Sequence, residues 1–309
     1  MRNYLLKRSV NILFMIFTLS IALFFLINIL PGSSSSIVFY ELDNSELVAQ
    51  YNENQNLSGN ILTRYFTYLN SLLHLDFGQS IYNTSVATLV LDHFETTFRL
   101  AILSLFFTLI LSNLIVFISY YFKNKLCNII KESLVLLSYS MPPFVLAIIF
   151  IIISMSFNFV PISGYSDLSL LLSLHYLILP SFIIAIIYSG FFISVLSNGL
   201  EREFKRRYIL LAKSKGHGNA KIFCSAYINV KNENITLISQ SAISLLTSSA
   251  AIEYVFSLPG LGNLIIMSIA SRDLNTLHAI LVLSIVISLV LSFISDIVLF
   301  LLDRRLKIE

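Results

Sequence analysis

Charge is scarce in this sequence: Asp, Glu, Lys and Arg together make up 12% of its 309 residues. Hydrophobic residues reach 56% and the mean hydropathy is +0.82, whereas soluble globular domains use roughly 45–50% apolar residues. A water-soluble globule is thereby excluded, and the chain reads as a membrane protein. Tryptophan is absent, and the only cysteines are Cys127 and Cys224. Both fall in or beside segments expected to be cytoplasmic, where thiols stay reduced, which argues against a disulfide. No G-x-x-x-x-G-K-[ST] phosphate loop occurs, so ATP hydrolysis by that chemistry cannot reside in this chain; it is not read as an enzyme. The five histidines, His74, His93, His175, His217 and His278, show no metal-ligand spacing. No resident metal or cofactor is expected. No repeat of fixed period is seen, and a net charge of +3 gives no ground for a nucleic-acid partner.

What is abundant is long apolar sequence. Uncharged runs able to cross a hydrocarbon layer, about 20 residues, lie at Val10–Leu30, Leu100–Phe122, Ser133–Ser166, Leu168–Leu200, Asn234–Ile252 and Leu274–Ser295. We read six membrane helices in an all-α polytopic chain. The first run is longer than a signal-peptide core and ends in Leu30-Pro31-Gly32 without a small-residue cleavage site, so it is expected to stay as an anchor. With a cytoplasmic amino terminus, seventeen of the twenty basic residues fall inside, as the positive-inside rule requires. Arg64, Arg99 and Arg272 remain outside or at the rim, where Glu41, Asp43, Glu46, Glu53, Asp76, Asp92 and Glu95 collect. Both ends are then cytoplasmic.

Between the first two runs, 32–98 is too polar for a bilayer. It carries a serine run at Ser33–Ser36, read as a turn, and Asn52–Asn56. A small external cap is expected, with a helix around Ile61–Leu75, where Ile61, Tyr65, Tyr68, Leu69, Leu72 and Leu73 recur at helical spacing. Pro142-Pro143 falls inside the third run, expected to begin near Ser133 and to kink there, either for packing or as a bend lining a passage. After the fifth run, Pro259, Gly260 and Gly262 force a turn near the outer surface. Gly260-x-Gly262 lacks the third glycine and the preceding strand of a dinucleotide fingerprint, and that reading is rejected.

The densest charge is in EREFKRRYILLAKSKG, Glu201–Gly216, with six basic residues in sixteen positions. On a helix, Phe204, Tyr208, Leu211 and Ala212 share one apolar face, with Arg202, Arg206 and Lys213 opposite. Gly216 follows the last periodic residue, as a left-handed cap would. A second short helix is expected from Asn219 through Ile222 and Phe223. This pattern suits a basic loop retained inside by topology, an anchor on anionic lipid, or a handle for a cytoplasmic partner. It does not choose among them.

Several residues resemble a family. Tyr208-x-x-x-Ala212-Lys213-Ser214-Lys215-Gly216 is similar to the EAA coupling loop in membrane subunits of bacterial ABC importers, specifically the oligopeptide, dipeptide and nickel permease group. Further matches run along nearly the whole chain in order: Leu30-Pro31-Gly32; Asp76-Phe77-Gly78-x-Ser80; Thr96-Thr97 with Leu100; Ser140-x-Pro142-x-Phe144; Pro161-x-Ser163-Gly164-Tyr165; Leu179-Pro180; Glu253-x-Val255-Phe256-Ser257-Leu258-Pro259-Gly260-Leu261-Gly262; and Arg272-Asp273. Departures include Ser214 for the second alanine, Ser194 and Ser197 for two arginines, no clean counterpart in Asn229–Asn234 of the motif after the coupling turn, and Arg304 for a proline.

The resemblance implies a type I ABC importer permease fold in a bacterial cytoplasmic (inner) membrane, crossing the lipid bilayer many times. Residues 1–93 would hold the first membrane helix, about 10–30, and an extracytoplasmic segment. Residues 94–303 would form a five-helix module with a coupling loop at about 201–232. The implied partners are a second homologous permease subunit, two ABC ATPase subunits and an extracytoplasmic solute-binding protein. Tyr208, Ala212, Ser214, Lys215 and Gly216 would couple to the ATPase; Pro142, Glu253, Pro259, Gly260, Gly262 and Asp296 would shape the gate or pathway. Asp296 is read as pairing with another subunit or facing the passage, and Glu253 as capping the turn that follows it or steering cationic cargo. Di- or oligopeptides are the first cargo reading, with nickel or a metal chelate second. A standalone proton-coupled carrier would show repeats and several buried acids. A membrane anchor for a cytoplasmic enzyme would leave the Pro259–Gly262 turn without a role.

Overall fold

In a computed structural model, residues 2–29, 61–74, 76–122, 124–156, 161 and 163–302 are described. Leu30-Pro31-Gly32, the serine run and Asn52–Asn56 lie outside them, as do Arg304 and Arg305. Among the described residues the elements are helical: α1 (Arg2–Ile29), α2 (Ile61–Leu73), α3 (Val86–Phe122), α4 (Lys125–Ser140), α5 (Pro143–Met155), α6 (Leu170–Phe204), α7 (Arg207–Ser214), α8 (Asn219–Ser248), α9 (Ala250–Val255), α10 (Leu261–Ala270) and α11 (Leu274–Leu302). The β-type pairing recorded there is one isolated bridge, Gln79 to Ser85.

Four of these helices contain segments long and apolar enough to cross a membrane: Arg8–Phe25, Val86–Phe122, Leu170–Phe204 and Leu274–Val298. The pair α4 and α5 brings the number to five if it counts as one span. The predicted run 234–252 lies in α8 and α9, which are not among these segments.

Three boundaries differ from the sequence reading. The Pro142-Pro143 segment breaks its helix outright instead of kinking it, and α4 and α5 meet at 118°. A proline pushes the residue before it out of the helical region. Here that happens twice in succession: Met141 (φ −104°, ψ 127°) precedes Pro142, and Pro142 (φ −62°, ψ 143°) precedes Pro143. Pro143 then opens α5, where its missing N–H has no helical partner to lose. Pro180, alone inside α6, leaves that helix continuous. Second, the expected helix through Phe204 and Ala212 is two helices, divided at Lys205 and the extended Arg206. Third, the short helix expected at Asn219 runs on to Ser248 and merges with the predicted fifth span.

The chain divides into two compact units. The first comprises Met1–Thr97 and Pro259–Leu289; a core of Val86, Val90, Leu261, Leu264, Ala279 and Ile280 brings together residues of α3, α10 and α11. The second comprises Phe98–Leu258 and Val290–Glu309. One of its cores gathers Leu100, Leu146, Leu177, Ile183, Ile252 and Phe256. Another gathers Val116, Ile193, Leu196, Leu200, Ile209 and Phe223. In this unit α6 lies close against α4. A Cβ built on Gly190 would stand 2.1 Å from Ser138 Oγ and 2.4 Å from Ser138 Cβ. Membrane helices use such small residues to bring backbones together, because lipid offers no hydrophobic drive between helices.

Candidate functional site

The charged segment forms a tightly specified element. Gly216 is left-handed, with φ +72°. The His217 N–H donates to the Ala212 carbonyl at 3.2 Å and the Gly216 N–H to the Lys213 carbonyl at 3.0 Å. This pair of bonds is the Schellman ending, which satisfies carbonyls that the last helical turn leaves over. A Cβ on Gly216 would meet nothing within 4 Å, so glycine is needed there for its backbone angle and not for space.

At the other end of α7, Glu203 is 7% exposed. Its Oε1 lies 2.8 Å from Arg206 Nε, and its Oε2 accepts from the Tyr208 hydroxyl at 2.7 Å. Asn229 Nδ2 donates to the same Tyr208 oxygen at 2.9 Å. Partial burial first, then the bond to Glu203, raises the Tyr208 phenol above the ordinary tyrosine value, so it remains a donor. Ile209 is fully buried among Leu196, Leu200, Ile222 and Phe223. The apolar face is therefore rotated from the expected one. Tyr208, Ile209 and Ala212 face the core side, while Leu210 and Leu211 are 58% and 61% exposed. Ser214, Lys215 and Gly216 are exposed as well. A helix this short need not keep the register of α6, since Arg206 resets the backbone between them.

The predicted gate residues fall in both units: Pro259, Gly260 and Gly262 in the first, and Pro142, Glu253 and Asp296 in the second. Pro142 is the cap of α5, and Asp296 is half-buried in α11. Glu253 is fully buried in α9 and accepts from Ser249 Oγ at 2.8 Å. The turn after α9 is closed by the Glu253 backbone carbonyl, which accepts from the Leu258 N–H at 2.8 Å, while the Ser257 N–H donates to Tyr254. This is again a Schellman ending, with Ser257 at φ +53° in the position usually held by glycine. The same geometry ends α10: Asp273 N–H to Ser268, Arg272 N–H to Ile269, and Arg272 at φ +52°. Both residues hold a left-handed backbone conformation that costs an L residue about 1–2 kcal/mol.

In the first unit, the Gly260 carbonyl accepts from the Leu264 N–H at the start of α10, and Gly262 is buried. The Leu261 N–H donates to Thr97 Oγ1 at 2.8 Å across 164 residues. Asp273 is 5% exposed and collects four bonds: Ser80 Oγ at 2.7 Å, the Ile81 N–H at 3.4 Å, Thr276 Oγ1 at 2.7 Å and the Thr276 N–H at 3.2 Å. In the second unit, Arg99 donates to the Tyr165 hydroxyl and to Ser173 Oγ, each at 3.0 Å, and lies 3.9 Å from Asp167. The Gly164 N–H donates to the Phe256 carbonyl at 3.1 Å.

Short matches spaced along the sequence are thus fastened to one another in pairs: Ser80 with Asp273, Thr97 with Leu261, and Gly164 with Phe256. Glu203, Asn229 and Arg99, the residues holding Tyr208 and Tyr165, were given no site role from sequence. A polar residue beside a motif carries no signal of which distant partner it meets.

Comparison with known proteins decides the family. The model of the binding-protein-dependent transport system inner membrane component matches residues 113–308, more than half of the chain. The chain belongs to this family. Among curated relatives, this inner membrane component is 27% identical over 312 residues, covering all of both chains, to a dipeptide transport system permease protein of Lactococcus lactis subsp. cremoris. It is 25% identical over 314 residues, again covering both chains, to a putative peptide transport system permease protein of Brucella abortus. It is 25% identical over 264 residues to a metal-staphylopine import system permease protein of Staphylococcus aureus, covering 85% of this chain and 83% of that protein. A multi-pass, helical transport component of a membrane follows from the family and the apolar helices together.

Proposed function

We propose that this chain is the permease subunit of an ATP-driven, binding-protein-dependent importer of di- or oligopeptides in a bacterial cytoplasmic membrane. It forms half of the translocation pathway, with a second homologous permease forming the other half. Two ABC ATPase subunits sit beneath, and a solute-binding protein delivers cargo from outside. The chain crosses the bilayer six times with both ends cytoplasmic, and 94–303 is its transport module. Chemistry stays with the ATPase subunits, and this chain carries motion.

The observation that carries the reading is α7. It presents Leu210 and Leu211 to solvent among Arg207, Lys213 and Lys215, while Ile209 and the Glu203–Tyr208–Asn229 bonds root it in the helices behind. A short helix with exposed leucines outside and a rigid root inside suits a part gripped by another protein. Tyr208, Ala212, Ser214, Lys215 and Gly216 then form the coupling element, with Ser214, Lys215 and Gly216 on its exposed side and Tyr208 and Ala212 on its rooted side, and displacement of α7 reaches α6 and α8 directly. Pro142, Glu253, Pro259, Gly260, Gly262 and Asp296 are assigned to the shape of the pathway and its outer turns.

Replacing Gly216 by leucine tests this. A left-handed leucine costs about 1–2 kcal/mol and disturbs the end of α7 without any steric collision behind it. In the assembled complex, stimulation of ATP hydrolysis by loaded binding protein should fall. Unchanged stimulation with normal assembly would refute the coupling role. A metal chelate is the second cargo reading, favoured by similarity to the metal-staphylopine permease.

A further inference from the structure

Four half-buried tyrosines of the second unit have named partners for their hydroxyls: Tyr120 donates to the Ser197 carbonyl, Tyr165 accepts from Arg99, Tyr208 donates to Glu203 and Tyr227 to Asn113. The first unit breaks this pattern. There α2 lies against α1 and α11 through aromatic rings. Phe24 of α1 stands 5.2 Å from Tyr65 and 5.6 Å from Tyr68, and His278 of α11 stacks on Tyr68 at 4.3 Å with 17° between the planes. Tyr65 is only 8% exposed. Tyr65 Oη, Tyr68 Oη and His278 Nε2 are all buried, and none has a hydrogen-bond partner among the described residues.

Ring stacking and apolar burial draw α2 into this seat. The seat works against its own polar atoms, because a buried donor or acceptor that exchanges water for no partner keeps the full cost of desolvation. Ionisation of Tyr68 gives no relief: burial first, then the neighbouring Tyr65, pushes its phenol up to about 12, so it stays a neutral donor that lacks an acceptor. The three atoms retain almost no accessible surface, so no water-sized space adjoins them. Lifting α2 reverses both effects. The rings lose their stacking, while two hydroxyls and an imidazole nitrogen gain water. Solvent already reaches the other side of this helix, where Phe66, Thr67 and Asn70 are exposed.

We infer that α2 is a releasable strap of the first unit: ring stacking seats it on α1 and α11, and hydration of Tyr65, Tyr68 and His278 favours its release. Opposed effects of comparable size leave such a contact with two accessible states. Whatever binds the released or the seated form then shifts the balance between them. Elements that move in a working protein are drawn from its loosely held parts. This role goes beyond the importer reading and stands without it, because the packing lies within one unit and holds whichever side of a membrane α2 faces.

Hydrogen–deuterium exchange of the full chain in lipid nanodiscs tests this. After correction for intrinsic rates, backbone amides of 65–73 in the parent should exchange about tenfold or more faster than those of 279–285 in α11, the helix on which the strap lies. Tyr65→Phe keeps the ring and removes one unpaired hydroxyl, so the seat should tighten. Exchange of 65–73 should slow by about tenfold, and by about a hundredfold when Tyr68→Phe is added. A hydroxyl that was paired in the seated form predicts the opposite sign. Faster or unchanged exchange in either variant, or a parent α2 as protected as α11, would overturn the strap. Slowing must also be confined to α2: an equal change at 100–116 of α3 would mark a global effect and overturn it as well. ATPase stimulation through Gly216 is read in a different assay, so any of these failures leaves the importer reading standing.

Discussion

The close approach of α4 and α6 gives the sharpest test of the packing. Gly190→Ala would place a methyl group 2.1 Å from Ser138 Oγ, 2.4 Å from Ser138 Cβ and 3.0 Å from the Leu134 carbonyl oxygen. The serine cannot simply rotate away at no cost, because its hydroxyl lies 2.8 Å from the Leu134 carbonyl and 3.0 Å from the Ile186 carbonyl. Rotation also leaves the Cβ collision in place. Relief therefore needs α4 and α6 to separate by roughly 1 Å, enough to bring a carbon contact back to its ordinary distance of about 3.5 Å. Overpacking of this kind costs about 1–3 kcal/mol, and loss of the interhelical bond adds about 1 kcal/mol, so a destabilisation of about 2–4 kcal/mol is expected. Ser138→Gly removes both colliding atoms and should rescue Gly190→Ala more than additively. The assay is reversible SDS unfolding of the purified chain in detergent, run as a double-mutant cycle. A Gly190→Ala protein as stable as the parent, or strictly additive changes in the cycle, would refute the proposed contact.

Two further substitutions probe the polar fastenings. Asp273→Ala removes the acceptor for four donors, including the Ser80 and Thr276 hydroxyls, and should cost about 2–4 kcal/mol as buried groups lose their partner; faster proteolysis within 76–85 should accompany it, while Asp273→Asn should be milder. Tyr208→Phe deletes the hydroxyl shared by Glu203 and Asn229 and should lower transport per ATP hydrolysed while leaving assembly intact. Because the Tyr208 phenol is raised above its usual value near 10, its bond should be fully present below that value and lost only as pH rises through the higher folded value. Coupling in the parent should accordingly show no tyrosine-dependent decline between about pH 7 and 9.

Much of the architecture was legible before any coordinates, because a bilayer imposes length and polarity on every segment that crosses it. Four of the six predicted runs coincide with helices that meet the length and apolarity of a span, and the third corresponds to the bent α4 and α5 pair. The predicted helix near Ile61–Leu75 is α2, Ile61–Leu73. Helix ends were less legible. Two successive prolines were read as a kink, although each separately forces its predecessor to extend. The register of α7 was misjudged by carrying the period of α6 across Arg206, where one extended residue rotates everything that follows.

By itself, then, the order of residues determined the membrane character, the helical class, the family and the glycine-ended turn, all of which depend on local composition or on neighbours within a few positions. Only the tertiary structure decided which leucines α7 presents, that Glu253 closes its turn through the backbone, that Ser80 meets Asp273 193 residues away, and that rings of α1, α2 and α11 share one cluster. Those outcomes depend on how helices rotate and approach. Rotation is set by buried contacts summed over distant segments, and periodicity within one segment does not encode which distant face it will meet.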